Sequence, residues 1–124
     1  MALVLTKALR EKMNQAEFRN ADLRFARRIR AFRPAPVKDV TDAQLAEIVR
    51  RARVAARGFG IKDNKLVVRF VMVDALIAPK FYEMDDFVVH FENASGTADI
   101  KVGDMFRLIA LTMRAYGRSN EIWW

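Results

Sequence analysis

Cysteine is absent from the 124-residue sequence, which excludes a disulfide framework, a cysteine-ligated zinc site and a thiol nucleophile. There is one histidine, His90, too few for any site that needs two imidazoles. Glycine is scarce, and the residues at 58, 60, 96, 103 and 117 match neither the phosphate loop nor the dinucleotide fingerprint. Ser95 and Ser119 lack the glycine-flanked turn that exposes a serine nucleophile. No long hydrophobic run occurs either. The best, residues 66–78, is broken by Arg69 and Asp74 and falls short of the roughly 20 residues a spanning helix needs. The opening MALVLTKALREKM sets a short apolar patch before its charge, the reverse of a secretory signal. These absences lead to the expectation of a cytoplasmic bacterial protein with no catalytic residue, metal, cofactor or membrane insertion.

What is present suffices for a core. Apolar residues make up 52% of the chain, and the length suits one domain spanning residues 1–124. Two prolines two apart in RPAPVKDV, residues 33–40, forbid a continuous helix and favour an extended crossing. Before this hinge, residues 15–33 read as a helix, with Phe18, Ala21, Phe25, Ile29 and Phe32 on one stripe taken as core. Leu9, Met13 and Ala16 lie nearly opposite, so the helix is expected to kink, start late or be covered on two sides in its first turns.

After the hinge, Thr41 as N-cap and Gln44 at N3 form a capping box, and Val40 with Leu45 supplies a hydrophobic staple. The helix this begins carries Ile48, Val49, Ala52, Ala56 and Phe59 on one face, and Gly58 and Gly60 close it. Asp63 caps a third segment, residues 64–78. Its β-branched LVVRFVMV core also fits a buried strand, but its length and the terminal Pro79 favour a helix. Met84, Phe87, Val88 and Phe91 mark a fourth helix through EMDDFVVHFE, ASGTAD reads as a loop, and a fifth helix is expected from near Asp104 to Gly117. The expected fold class is all-α, a compact bundle of about five helices.

The charge is +7 overall and uneven. Residues 1–62 hold 15 Lys+Arg and 6 Asp+Glu, a balance of +9, against 7 and 9 in residues 63–124, or −2. Arginine outnumbers lysine 15 to 7, which suits bidentate pairing with carboxylate or phosphate. Arg24, Arg27 and Arg28 fall opposite the first apolar stripe, and Arg50, Arg53 and Arg57 opposite the second, so both sets face solvent or a partner. An acidic protein surface is the expected partner, with a solvated helix face as the plain alternative. Nucleic acid is the second candidate, binding phosphates through the same arginines. It would want aromatics interleaved among them as stacking platforms, whereas Phe18, Phe25 and Phe32 are assigned to the core. Glu83, Asp85, Asp86 and Glu92 near His90 fit a solvated first turn complementing the helix dipole better than a paired-carboxylate site. Trp123 and Trp124 are counted as partner contacts, since large aromatics concentrate at interface hot spots. The other reading has them fold back with Ile122 to close the bundle.

Taken together, QAEFRNADLRFARRIRAFRP, IVRRARVAARGFGI and VVRFVMVDALIAPKF resemble small helical bacterial proteins encoded beside type VI secretion spike and effector genes. The shared punctuation falls on Gln15, Phe18, Phe25 and Phe32, on Ala56, Phe59, Gly60 and Ile61, and on Phe70, Pro79 and Phe81. It covers roughly residues 15–81; the segment after Phe81 is only loosely similar, and the Trp-Trp terminus lies outside the pattern. The resemblance implies an adaptor, chaperone or immunity-type partner of a secreted effector or spike protein, and it transfers no catalytic residue.

Overall fold

A computed structural model describes residues 7–121. Among them the chain is all-α, with five helices and no strand: α1 (Lys7–Phe32), α2 (Asp42–Gly58), α3 (Asn64–Leu76), α4 (Asp85–Asn93) and α5 (Ala98–Ala115). Short 3-10 turns occupy Ala35–Val37, Phe81–Glu83 and Ser119–Glu121. Contacts gather the chain into two compact units, residues 1–51 and 52–124, and the division falls inside α2.

In the first unit, α1 is one uninterrupted helix already formed at Lys7, eight residues before the expected residue 15. Leu9 and Met13, for which a kink, a late start or cover on two sides is expected, are exposed in the early turns of this continuous helix. The buried residues of α1 are Asp22, Ala26 and Ile29, a face turned roughly 60° from the phenylalanine stripe at about 100° per residue. Phe18 and Phe32, assigned to the core from their spacing, are instead 55% and 51% exposed. Rotation toward Ala26 also turns Arg30 inward, and Arg30 organises the hinge. Its Nε donates to Asp42 Oδ1 at 2.9 Å, its Nη1 to the Val37 carbonyl at 2.9 Å, and its Nη2 to the Val40 carbonyl. Residues 34–40 are therefore not the extended crossing their prolines suggest. Pro34 adopts φ −71°, ψ −33° and leads into the 3-10 turn, because a fixed proline φ suits a first helical turn as well as an extended strand.

The capping box forms as read. Gln44 N–H donates to Thr41 Oγ1 at 3.1 Å, and Thr41 N–H donates to Gln44 Oε1 at 2.9 Å. Val40 is half-buried and Leu45 fully buried, as the staple requires. At the other end of α2, Gly60 takes φ +86°. Its N–H bonds back to the Arg57 carbonyl at 3.0 Å, and Ile61 N–H bonds to that of Ala56 at 3.2 Å, the left-handed glycine stop.

The second unit is built around aromatic rings. Phe70, fully buried on α3, has ring centroids 6.2 Å from Phe59, 4.8 Å from Phe81, 5.2 Å from Tyr82 and 6.3 Å from Phe87. Phe87 on α4 in turn lies 5.4 Å from Phe59 and 6.1 Å from Phe91. Asp63 caps α3 by accepting Lys65 N–H at 2.8 Å, so the valine-rich segment is a helix, ending at Leu76. Asp74, 1% exposed, accepts Lys80 N–H at 3.0 Å and holds Lys80 in the left-handed region at φ +54°. The expected start of α5 near Asp104 is six residues late. Thr97, inside the presumed ASGTAD loop, is the N-cap of α5 and accepts Ile100 N–H at 3.3 Å. Asp99 in that first turn accepts Lys62 N–H at 2.8 Å, tying the α2–α3 connection to α5.

Replacing Thr41 with Ala should lower unfolding free energy by about 1 kcal/mol in urea titration, through loss of the α2 cap; an unchanged midpoint would place the start of α2 elsewhere.

Candidate partner-binding surface

The positive charge lies mainly in the first unit. Residues 1–51 hold 12 basic and 6 acidic residues, +6, and residues 52–124 hold 10 and 9, +1. Of the α1 arginines, Arg24 and Arg28 are exposed and form no ion pair among the described residues. Arg27 points toward Asp42, Nε to Oδ2 at 3.8 Å, with its side chain 63% exposed. A pair so open to water adds little stability, so Arg27 keeps most of its charge available.

Arg24 lines an open groove of about 580 Å³ whose described walls are Asn14, Glu17, Phe18, Asn20 and Ala21. The groove brings Phe18 and Arg24 together, six residues apart on α1, with amide groups beside them. Phe32, also exposed, has the Arg33 guanidinium 5.7 Å from its ring centroid. Sequence periodicity hid these aromatics, because Phe18 and Phe32 sit at helical spacing from Ile29 and periodicity alone does not fix which edge of a stripe is covered. Their position beside arginine is the missed signal.

The α2 arginines divide differently. Arg50 makes a forked contact with Glu47, Nε to Oε2 at 2.9 Å and Nη2 to Oε1. That hydrogen bond, reinforced by the charges of Arg50 and Arg51, holds the Glu47 carboxyl below the ordinary glutamate value. The same bond raises Arg50, with Glu47's charge and then Asp22 adding to it. Asn20, Asp22, Glu47 and Arg50 also line a second cleft of about 270 Å³. Arg53 is half-buried. Arg57 works inside the fold: Nη1 donates to the carbonyls of Ile61 at 2.9 Å and Lys62 at 3.3 Å, and Nη2 to Asn64 Oδ1 at 2.7 Å. It closes the end of α2 onto the start of α3, a role that spacing could not reveal. The six arginines therefore do not form one free basic face.

Trp123 and Trp124 lie outside the described residues. Asp85 and Asp86 are exposed in the first turn of α4. Asp86 and His90 share a shallow cleft of about 490 Å³ with Val89, Asn93 and Ala94, and Asp85 is not part of its lining. His90 Nε2 is buried without a hydrogen-bond partner. Among the described residues no cluster of three His, Asp or Glu side chains could hold a metal ion, and no helix is long and apolar enough to cross a membrane.

Compared with protein-family models, with curated proteins and with solved structures, the chain matches none.

The division of labour among the arginines is measurable. Arg57→Ala should cost about 1–2 kcal/mol, as a charged donor to two carbonyls is lost, while Arg24→Ala should stay within about 0.5 kcal/mol; chemical denaturation compares them. Glu47, its pKa depressed in the fold, adds stability that is present above its unfolded value and is lost as pH falls through the folded one. Arg50→Gln should move the Glu47 midpoint upward in a carboxyl-carbon NMR titration, and an unmoved midpoint would show that the pair does not persist in solution.

Proposed function

We propose that this chain is a non-catalytic, cytoplasmic protein-interaction module that meets an acidic surface of its partner with the outer face of α1. One observation carries the reading: Phe18 and Arg24 share a groove, with Arg28 exposed one turn on. Arginine and large aromatics dominate interface hot spots, the ring supplying buried area and the guanidinium a bidentate bond to carboxylate. Arg27 adds to this face, whereas Arg50 and Arg57 are engaged within the fold. The resemblance of residues 15–81 to accessory proteins of type VI secretion supports a secreted effector or spike protein as the partner, with the chain as its adaptor, chaperone or immunity-type companion.

A second reading is nucleic-acid binding, and the exposure of Phe18 and Phe32 beside arginines favours it. Stacking rings among cations are what single-stranded recognition uses.

Affinity purification of the chain expressed from its own locus, with mass spectrometry, separates the two. The expected result is a stoichiometric acidic protein, lost at least tenfold when Arg24 and Arg28 are both changed to Glu, with the melting temperature unmoved. Capture of no protein partner overturns the first reading. Affinity for single-stranded nucleic acid whose logarithm falls linearly with log salt, the slope shrinking by about 0.7 per arginine removed, establishes the second.

A further inference from the structure

Helix α5 carries apolar residues on two faces. Val102, Phe106, Ala110 and Met113 are buried, yet Ile100, Leu108 and Leu111 are 53%, 46% and 58% exposed. The exposed side has an ordered pattern. Ile100, Asp104, Arg107 and Leu111 follow one another at spacings of four, three and four, the alternation that forms the seam between two packed helices. The two central members carry opposite charges: Arg107 Nη1 stands 3.3 Å from Asp104 Oδ1, with side chains 81% and 47% exposed. So open a pair contributes little to its own helix.

Along the chain the seam reads apolar, acidic, basic, apolar. Reversed and laid against itself, it is complementary at every position. We propose that two copies of this chain associate through α5, antiparallel about a two-fold axis passing between positions 105 and 106. Ile100 then faces Leu111 of the second copy, and Asp104 faces its Arg107. Such a contact is isologous, each copy offering the same patch. Parallel pairing would oppose aspartate to aspartate and arginine to arginine, and a shift of one turn would set aliphatic side chains against charges. The polar middle layer thus fixes direction and register, as buried polar seam positions do in coiled coils. Leu108 flanks the seam and extends its apolar area. From Ile100 to Leu111 the seam runs about 16 Å at 1.5 Å per residue, and a contact of that length falls below the ~1,200 Å² of a standard interface. The dimer is accordingly reversible and concentration-dependent. The seam uses α5 residues alone, none of which lines the α1 groove, so the proposal does not depend on the function assigned there.

Sedimentation velocity of the full chain across the micromolar range tests it. The wild type should shift from monomer to dimer with concentration. Asp104→Arg and Arg107→Asp should each raise the dimer dissociation constant at least about tenfold, since like charges then oppose across the seam. Mixing the two variants should restore a dimer, because each copy supplies the charge the other lacks. Arg107 is exposed and Asp104 half-buried, and thermal melting of each variant checks that the fold is kept. The absence of native cysteine gives a direct check of register: Ile100→Cys mixed with Leu111→Cys should cross-link on mild oxidation, and Ile100→Cys alone should not. A wild type that stays monomeric at all concentrations, a mixture no better associated than either variant, or Ile100→Cys linking to itself as readily as to Leu111→Cys would each overturn the proposal.

Discussion

A helix leaves backbone carbonyls and N–H groups without partners at its two ends, and a chain of helices joined by short connections must satisfy them at every reversal. This protein meets much of that constraint with arginine. Arg30 reaches from α1 to the carbonyls of Val37 and Val40 and to Asp42, folding the proline hinge into a turn that leads directly to the capped start of α2. Arg57 repeats the device, binding the carbonyls of Ile61 and Lys62 and the amide of Asn64, so that α3 can begin within a few residues of the end of α2. The guanidinium suits the task because its fork of donors serves several acceptors at once and stays charged under all ordinary conditions. The net charge of +7 consequently overstates the surface potential open to a partner, since part of it lies against backbone oxygens.

In the second unit the organising element is apolar. Phe70 is the ring that Phe59, Phe81, Tyr82 and Phe87 surround, and tilted, stacked and edge-on contacts between such rings add to the gain from burying them. The cluster gathers the end of α2, the middle of α3, the turn after it and α4. Polar ties then finish what the rings begin: Asp74 secures the left-handed turn at Lys80, and Asp99 receives the Lys62 N–H.

How far this was readable in advance depended on the range of each interaction. Thr41 with Gln44, Asp63, Gly60 and Gly117 announce helix ends because caps act over three or four residues, and each of them lies at a helix end. Asn64 to Leu76 is a helix despite its valines, as its length and Pro79 suggest. Thr97 is equally local, but it stands within ASGTAD, directly after Gly96, a segment that reads as a loop. Gly103 lies inside the helix with open space where a Cβ would stand. What periodicity misjudged was the covered face of α1. Phe18 and Ile29 share a stripe, and only packing decides that Ala26 goes inside while Phe18 stays half exposed. The candidate surface was legible in part for the same reason. The number of arginines is written in the chain, whereas the engagement of Arg57 with two carbonyls depends on where the backbone turns.

Those two clamps also distribute mutational tolerance unevenly. A carbonyl is the same group whichever residue carries it, so the backbone acceptors Val37, Val40, Ile61 and Lys62 impose no side-chain requirement on the clamps, unlike Asp42 and Asn64, which accept through their side chains. Lys62, exposed and bonded to Arg57 and Asp99 through its backbone, can be exchanged for residues that keep its N–H without loss of these bonds. Arg57, which supplies the donors, cannot. Two nearby surface cations that look interchangeable in the sequence therefore differ in what the fold asks of their side chains.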